Sequence, residues 1–399
     1  MKILVANLGS TSFKYRLYDL TEGGDEILLA RGAVERIGSD NAKVSVKSPK
    51  GDAEEVRRVG DHGEALRLCI EQLTDPKLGV LGSAADVAAI GFKAVHAKGI
   101  TGVHRVDETV LVAMEAFSDV APAHNPPYIK AMRTLLSQFP ELPLVAAFET
   151  GFHRTMPEAM QRYAVPEEWS TELGIRRWGF HGASHRYIAG RMAELTGRND
   201  LKLISCHLGG SSSLCAIKDG KSMGCSLGMS PQSGLPQNNR VGDLDVFALP
   251  AILKATGQTL DQVLDTLANR SGLEGISGVG NDLRDIEKAA EAGDARARLA
   301  LDVYIAAVRQ YLGGFMVALG GVDAIVFTGG IGENSTVIRS GVLRDLDWFG
   351  ITIDPASNAG GPPERKVSLA GARVDVWTVP TNEEIVVARQ TRDILTAKS

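Results

Sequence analysis

The sequence has few cysteines, no long hydrophobic run and no excess of basic charge. Its four cysteines, Cys69, Cys206, Cys215 and Cys225, form neither a CxxC pair nor a regular framework. We therefore expect free thiols in a reducing compartment, without disulfides or a cysteine zinc site. The net charge of -5 and the scattered basic residues do not form the electrostatic footprint of a protein that binds nucleic acid or an anionic membrane. Small molecules are the expected partners.

No segment has the pattern of a targeting or membrane-spanning element. The N-terminal apolar run spans only residues 3–6, which is too short for a signal peptide. The most apolar stretch, residues 311–327, is interrupted by four glycines and Asp323, whereas a membrane-spanning helix needs about 20 mostly apolar residues. These absences predict a cytoplasmic protein without a membrane partner.

The length of the chain and its alternating pattern favour two α/β domains. At 399 residues the chain exceeds the roughly 100–200 residues of one typical domain, so we expect two domains with a cleft between them. The first is placed at residues 1–150 and the second at 151–381, and a C-terminal helix at 382–399 is expected to complete the first. Strand-like and helix-like segments alternate along both halves. The pattern predicts helices at 63–73, 107–117, 127–137 and 292–319, strands at 87–90, 144–147, 324–327 and 373–379, and a loop at 328–335.

Two similar hairpin patterns lie about 200 residues apart. In the first, an apolar run at residues 2–6 leads to a Gly-Ser-Thr-Ser turn and a second run at 13–18. The second, at 203–217, has the same order around a turn of glycine and serine. Glycine-rich turns let backbone N–H groups approach phosphate oxygens, and short hydroxyls add donors. Two related halves that hold the two ends of a phosphoryl transfer are therefore one interpretation, and two ordinary tight hairpins are the other.

Three shorter patterns are rejected on their context. Residues 220–222 resemble the end of a P-loop, but Cys215 occupies the position of its first glycine and a hairpin turn precedes it. Residues 224–228 fit a nucleophile elbow, yet no helix signal follows, which leaves a serine hydrolase through Ser226 as a distant alternative. His181 and His185 have metal-ligand spacing without a third ligand in view, so a zinc site is weakly supported.

Polar clusters follow several apolar runs, as expected at strand ends that line a cleft. They comprise residues 124–126, 149–153, 176–185 and 239–243. The segment 176–185 is dense in arginine, histidine and glycine, which suits a site where negative charge develops in a transition state. Structural histidines with internal partners are the alternative for at least one member of this segment.

These segments together resemble the acetate and propionate kinase family, within the sugar kinase, Hsp70 and actin superfamily. The resemblance runs through the whole chain in order: NLGSTSFKY at 7–15, AHNP at 123–126, FETGFHRTMP at 148–157, RRWGFHGASHRY at 176–187, HLGGSSS at 207–213, SGLEGISGVGNDLRD at 271–285, FTGGIGENS at 327–335 and TNEE at 381–384. It implies a two-domain α/β fold of duplicated ribonuclease H-like halves, a cleft between them, and a homodimer. It also implies direct phosphoryl transfer from ATP to a short-chain carboxylate with Mg²⁺ or Mn²⁺, giving an acyl phosphate and ADP.

The resemblance also implies a role for each matching residue. Asn7 and Glu383 match the metal site, and Ser10, Ser12 and Lys14 match the first phosphate hairpin. Catalytic positions match Glu149, His181, Arg240 and His124. Nucleotide positions match His207, Leu208, Gly209, Gly210 and Ser211 in the second hairpin, Asp282, Leu283 and Arg284 on the adenosine side, and Gly330, Ile331, Gly332, Glu333 and Asn334 over the phosphates. Substrate positions match Lys93, Val95, Ala123, Phe180 and Pro231.

Four site positions depart from the family pattern. Lys93 stands where the family has an arginine for the substrate carboxylate, so the bidentate fork is lost. Glu149 replaces an aspartate, which moves the carboxylate by about 1.5 Å. In the second hairpin Gly210 replaces an asparagine, and Asn238 stands at a family glycine. These changes predict either a retuned enzyme or a homologue that binds nucleotide without efficient transfer.

The acyl pocket departs as well. Ala123 stands where a leucine is usual, which leaves room for a few more carbons and predicts a substrate larger than acetate. Lys98 replaces a glycine next to the pocket and could pair with a second anionic group on the substrate.

Overall fold

The computed structural model describes residues 1–21, 24–122 and 124–397. The chain divides into two compact units: unit 1 combines Met1–Gly151 with Asn382–Ser399, and unit 2 is Phe152–Thr381. Each unit contains one mixed sheet with helices. The α/β fold class expected from the sequence is confirmed.

Unit 1 is built on an eight-stranded sheet in the order β5-β4-β3-β2-β1-β6-β8-β7. Its strands are β1 (Lys2–Gly9), β2 (Ser12–Leu20), β3 (Glu26–Glu35), β4 (Ala42–Ser48), β5 (Gly51–Arg57), β6 (Val87–Ala94), β7 (Val103–Arg105) and β8 (Leu144–Phe148). Its helices before residue 151 are α1 (His62–Thr74), α2 (Glu108–Glu115) and α3 (Asn125–Gln138). The central strands β1, β6 and β8 are almost wholly apolar and buried, as expected for parallel pairs covered on both faces.

The last helix of the chain belongs to unit 1. Helix α15 (Glu383–Thr396) packs on β1, β2, β6, β7 and β8. It lies close to Gly91 of β6, where an added Cβ would lie 2.3 Å from Thr391 Oγ1, so only glycine allows this distance. Arg389 donates to both carboxylate oxygens of Glu26 on β3, at 2.5 and 2.6 Å.

Unit 2 is built on a six-stranded sheet in the order β11-β10-β9-β12-β14-β13. Its strands are β9 (Lys202–Leu208), β10 (Ser212–Lys218), β11 (Lys221–Cys225), β12 (Ala324–Thr328), β13 (Arg365–Lys366) and β14 (Asp375–Thr378). Its helices are α4 (Glu158–Gln161), α5 (Glu167–Thr171), α6 (Gly182–Thr196), α7 (Ala248–Thr256), α8 (Leu260–Asn269), α9 (Gly272–Ser277), α10 (Leu283–Glu291), α11 (Ala295–Ala318), α12 (Gly329–Asn334), α13 (Thr336–Leu343) and α14 (Pro355–Ala359). Short 3-10 helices lie at Ala84–Asp86, Glu149–Thr155 and Asp347–Phe349. The main core of this unit lies between the sheet and α10, α11 and α13.

The two sheets repeat one topology. In unit 1 the strands β3-β2-β1 are antiparallel neighbours and β1-β6-β8 are parallel neighbours. In unit 2, β11-β10-β9 and β9-β12-β14 repeat both relations. The duplication inferred from the two hairpins is therefore present in the strand order of both units.

Two sequence-based boundaries are wrong. The segment predicted as a loop at 328–335 contains the short helix α12, which begins directly after β12. The helical pattern predicted at 292–319 begins at Ala295, because Asp294 caps that helix by accepting from the N–H groups of Arg296 and Ala297 at 2.8 and 3.0 Å. Among the residues that the structure describes, no helix is long and apolar enough to cross a membrane.

Candidate active site

The first hairpin forms a tight turn at the end of β1 and β2. Asn7 and Lys14 are directly opposed in the antiparallel register, and Gly9 is opposed to Ser12. His62 Nε2 donates to the Gly9 carbonyl at 3.0 Å, which fixes the turn on helix α1. This arrangement places Asn7 on one strand of the hairpin and Lys14 on the other.

A cavity of ≈ 280 Å³ in unit 1 opens beside this hairpin. Asn7, Lys14, Arg16 and Arg31 contribute to its lining, as does Glu384 at the start of α15. Lys14 Nζ lies 3.7 Å from Glu35, with the Lys14 side chain 61% exposed. Such an exposed pair is held weakly, so the ammonium is available to a phosphate.

Lys93 lies between two carboxylates in unit 1. Its Nζ contacts Glu383 Oε2 at 2.5 Å, across from β6 to the first residue of α15. Burial alone would lower the pKa of Lys93, but the negative charges of Glu383 and Glu149 outweigh it and raise that pKa above its ordinary value. The lysine is therefore charged: it pairs with the predicted metal ligand Glu383 and lies within the electrostatic influence of the predicted catalytic residue Glu149, which is buried just after β8.

The oxygen donors in unit 1 fit a hard divalent cation. Asn7 Oδ1 is buried without a hydrogen-bond partner among the described residues, and Glu383 supplies a carboxylate on a helix that packs against β1. No group of three or more histidines, cysteines or acidic side chains in the described part of the chain could hold a metal. Because Mg²⁺ keeps several waters and needs few protein ligands, an amide and one carboxylate suit it.

The second hairpin is held by a polar assembly within unit 2. Ser212 Oγ donates to the Gly209 carbonyl at 3.0 Å and lies 2.8 Å from Tyr304 Oη. Ser211 Oγ donates to Gln237 Oε1 at 2.6 Å. Because the strands pair through Leu208 and Ser212, this turn is one residue longer than that of the first hairpin.

Arg240 is directed into this assembly. Its Nη1 lies 3.3–3.4 Å from three neutral oxygens: Ser211 Oγ, the Pro231 carbonyl and Gln237 Oε1. Among the described residues its hydrogen-bond partners include no carboxylate, and burial lowers its pKa from the ordinary value. A half-buried guanidinium without an anionic partner has the chemistry to bind an anionic ligand.

A network of histidines and serines lies between helix α6 and the second sheet. Ser213 Oγ bonds both His181 Nδ1 at 2.8 Å and His185 Nε2 at 2.9 Å. The rings of His181 and His207 stack at 4.3 Å, and Ser184 Oγ lies 2.8 Å from His207 Nδ1. The predicted residues His181 and His207 are thus brought together.

His181 has an unusual backbone conformation within this network. Its φ of 54° and ψ of 31° are left-handed at the position before α6. For a non-glycine residue this conformation is strained, and such strain concentrates at functional sites. His185, by contrast, is wholly buried between Ser205 and Ser213, which makes it a structural histidine.

The segment after β12 approaches the second hairpin. Gly329 has φ +76° and an added Cβ would lie 2.7 Å from the Leu208 carbonyl, while Gly330 N lies 3.8 Å from the Cβ position of Gly209. Glu333 Oε1 accepts from Gly329 N at 2.9 Å. The residues predicted over the phosphates, 330–334, and those of the second hairpin are therefore neighbours.

The adenosine-side residues lie at the start of α10. Asp282 caps this helix, and Arg284 Nη2 donates to Asp282 Oδ2 at 2.6 Å, which lowers the pKa of the exposed Asp282 carboxyl to about 2. Leu283 is buried in the core. Ser335 Oγ, just after α12, donates to Glu287 of α10 at 2.5 Å, so α10 reaches the segment beside the second hairpin.

The remaining substrate residues are divided between the units. Lys93 and Val95 belong to unit 1 and Phe180 and Pro231 to unit 2, while Ala123 lies outside the described residues. His124 directly precedes α3.

The P-loop pattern and the nucleophile-elbow pattern do not form functional sites in the structure. Gly220 lies in the turn from β10 into β11, and Lys221 and Ser222 begin β11, so these residues do not form a P-loop. Ser226 is wholly buried and its Oγ accepts from Leu214 N at 2.9 Å, which excludes it as a nucleophile.

Gln237 was missed by sequence reasoning. It is fully buried, accepts from Ser211 and Arg240, and donates to the Pro231 carbonyl at 2.8 Å. A glutamine between Pro236 and Asn238 carries no periodic or motif signal, so only the folded chain reveals its position.

The comparisons with known proteins agree over the full chain. The sequence model of the Acetokinase family matches residues 2–389. An acetate kinase of Moorella thermoacetica is 41% identical, with 100% of both chains covered. The crystal structure of Porphyromonas gingivalis acetate kinase is 36% identical with a TM-score of 0.88, covering 99% of this chain and 100% of that one. A propionate kinase from Francisella tularensis is 32% identical with a TM-score of 0.87, covering 98% of each chain.

The duplicated α/β units and this full-length similarity define a phosphotransferase that acts on a carboxyl group. The sequence identity extends over the whole chain, so the assignment does not depend on a single motif. The chain belongs to the acetokinase family.

Proposed function

We propose that this protein transfers the γ-phosphoryl group of ATP to a carboxylate oxygen of a short-chain acid, reversibly giving an acyl phosphate and ADP. The new bond joins the carboxylate oxygen to phosphorus, and the bond from the γ-phosphorus to the bridging β–γ oxygen breaks, so the electron pair remains on ADP. The observation that carries this proposal is Arg240, a half-buried guanidinium whose partners are all neutral oxygens beside the second hairpin. It is suited to the charge that spreads over a phosphoryl group in flight.

Side chains of unit 1 are assigned to the metal and the transferred group. Asn7 and Glu383 would hold Mg²⁺, or Mn²⁺, which when bound neutralises phosphate charge. Lys14 and the hydroxyls of Ser10 and Ser12 would contact the transferred phosphoryl group. Glu149 and His124 are proposed to position the reacting oxygens.

Side chains of unit 2 are assigned to the nucleotide and the transition state. The second hairpin, 207–211, and the segment 330–334 would bind its phosphates, and 282–284 its adenosine side. His181 is proposed to stabilise the transition state, since Ser213 fixes its ring orientation through Nδ1.

The substrate carboxylate is assigned to Lys93. Its ammonium is already engaged by Glu383 at 2.5 Å, so an acid must compete with this ion pair or displace it. The resemblance assigns Val95, Phe180 and Pro231 to the acyl group, and Lys98 is exposed nearby in sequence. A substrate larger than acetate, or one with a second anionic group, is therefore proposed.

A substrate panel tests the function. ATP-dependent acyl-hydroxamate formation is measured with acetate, propionate, butyrate and dicarboxylates, for the wild type and for Arg240→Gln. We expect a larger acid to give the highest kcat/KM and Arg240→Gln to lose about 10³-fold in kcat, while the exposed control Arg270→Gln is unchanged. Absence of hydroxamate with every acid contradicts the proposed reaction, whereas acetate as the best substrate contradicts only the larger substrate.

The second candidate is a homologue that binds nucleotide but transfers poorly. The engagement of Lys93 by Glu383 favours it, because the substrate cation is already neutralised. Restoring the family residues with Lys93→Arg and Glu149→Asp separates the two. A gain in acetate turnover of about tenfold or more indicates decay, and a loss indicates that the site is tuned to another acid.

The cytoplasmic location and the homodimer stay predictions. Light scattering on the purified chain tests the second.

A further inference from the structure

Two of the positions that depart from the family pattern meet in space. Gly210 lies at the tip of the second hairpin, and Asn238 lies in the segment that follows β11. Asn238 N donates to the Gly210 carbonyl at 3.2 Å. A Cβ built on Gly210 would lie 3.5 Å from Asn238 Nδ2 and 3.9 Å from its Cγ. The side-chain amide of Asn238 therefore covers the tip that Gly210 leaves bare.

The backbone of Asn238 is fixed on both sides. Besides its bond to Gly210, its carbonyl accepts from Glu274 N in helix α9 at 2.9 Å. The preceding residue, Gln237, is buried and bonded to Ser211, the next residue of the hairpin. These bonds do not involve the Asn238 side chain, so the amide is carried on a rigid support without contributing to it.

The side-chain amide of Asn238 makes no hydrogen bond to another described residue. Asn238 Oδ1 is buried without a hydrogen-bond partner, and the hydrogen bonds of this residue all run through its backbone. The donor side of the amide, Nδ2, lies 3.5 Å from the Cβ position of Gly210 and keeps two N–H groups for an incoming acceptor. Arg240, two residues further along, is the other donor here without an anionic partner.

We propose that Asn238 supplies the side-chain amide of the second hairpin and donates to a phosphate oxygen of the bound nucleotide. This inference rests on the proposed nucleotide-binding function. The proposed contact requires a small residue at position 210. A Cβ at this position would fit in ordinary contact with Asn238, but the longer side chain of an asparagine would compete with the Asn238 amide for the same space. The two positions therefore hold one amide between them, and either position could carry it.

Reciprocal substitution tests this exchange. Dissociation constants for ADP and adenosine are measured by calorimetry for Asn238→Gly, Gly210→Asn and the double variant, and melting temperatures are recorded without ligand. Loss of a hydrogen bond to a charged group predicts roughly tenfold to hundredfold weaker ADP binding for Asn238→Gly. Adenosine binding stays unchanged because adenosine has no phosphate.

The double variant provides the sharpest result. Gly210→Asn alone is expected to weaken ADP binding by crowding, and the double variant to bind ADP within about threefold of the wild type, a strongly non-additive pair. The exposed amide of Asn269 on α8, whose Nδ2 donates to Asp265 Oδ1 at 2.8 Å, provides the control, and Asn269→Ala is expected to bind ADP like the wild type.

Three outcomes overturn the inference. They are unchanged ADP binding in Asn238→Gly, equal weakening of ADP and adenosine, or a double variant whose loss equals the product of the single losses. A wild-type chain that binds neither nucleotide contradicts the proposed function instead, so the two failures are distinguishable.

Discussion

At the scale of single residues, the histidines of unit 2 divide into two kinds. His153 and His185 are almost wholly buried and bonded to serine hydroxyls, and His153 Nε2 donates to the Phe180 carbonyl at 2.8 Å. His181 and His207 are only partly buried and stack on each other. Ser213 connects the two kinds, because its hydroxyl bonds both the buried His185 and the half-buried His181.

The buried histidines predict a pH dependence of stability. Burial lowers the pKa of His153 to about 4 and that of His185 well below its ordinary value. In the unfolded chain both titrate near 6.5, so below that pH the unfolded state binds protons that the folded state does not. The free energy of unfolding should therefore fall as pH drops from about 6.5 toward 4, by up to about 1.4 kcal/mol per pH unit for each histidine.

Urea unfolding at pH 7 and pH 5 measures this effect. In the variant His153→Gln the dependence on pH should be weaker by the contribution of one proton, although the variant is less stable at pH 7. An identical dependence in both proteins would show that His153 does not carry it.

At the scale of elements, the approach of α12 to β9 sets the shape of the second hairpin. The left-handed backbone of Gly329 and its contact with the Leu208 carbonyl leave no room for a side chain. Gly329→Ala must move one segment away from the other, and we expect a loss of about 1–3 kcal/mol in stability together with weaker ADP binding. Thermal unfolding and calorimetry check both.

Gly313→Ala is the control for that substitution. It lies in α11 with no atom within 4 Å of its Cβ position, so alanine should be neutral or stabilising by up to about 1 kcal/mol. If both variants lose the same stability, the Gly329 contact is not the cause.

The local elements were predictable where the pattern is local, whereas the contacts that join distant residues within the candidate site were not. Both hairpins follow from alternating apolar runs around glycine turns, and α1 and α3 follow from their helical periodicity. Helix α12 has three glycines in six residues and no such periodicity. The contacts of Ser211 with Gln237 and of Gly210 with Asn238 join residues far apart in sequence, which no spacing rule links. The resemblance assigns Lys93 to the substrate, but no sequence pattern indicates its ion pair with Glu383, which spans 290 residues.

At the scale of the whole molecule, unit 1 depends on both ends of the chain. Helix α15 covers the sheet where Gly91 admits it. Val386, Val387 and Ala388 are buried there. A chain ending at residue 381 leaves this apolar face exposed and leaves Glu26 without Arg389, so we expect unit 1 to lose its cooperative folding while unit 2 keeps it.

Calorimetry and limited proteolysis of the chain 1–381 test this dependence. The transition of unit 2 should remain and that of unit 1 should disappear, with cleavage confined to residues before 151. Arg389→Ala is the milder companion: removal of this half-exposed ion pair should cost only about 1 kcal/mol. A truncated chain that retains both transitions contradicts the role of α15.

The same arrangement sets an order of events during synthesis. Unit 2 is one uninterrupted segment, so it is complete on the ribosome before residue 382 is made. The sheet of unit 1 is translated first, but it cannot be covered by α15 until unit 2 has been synthesised. At about 5–20 residues per second, that synthesis takes on the order of ten seconds or more. The first half of this protein to be made is thus the last to finish folding, and its uncovered strands β1 and β6 are the surface that a chaperone would need to protect.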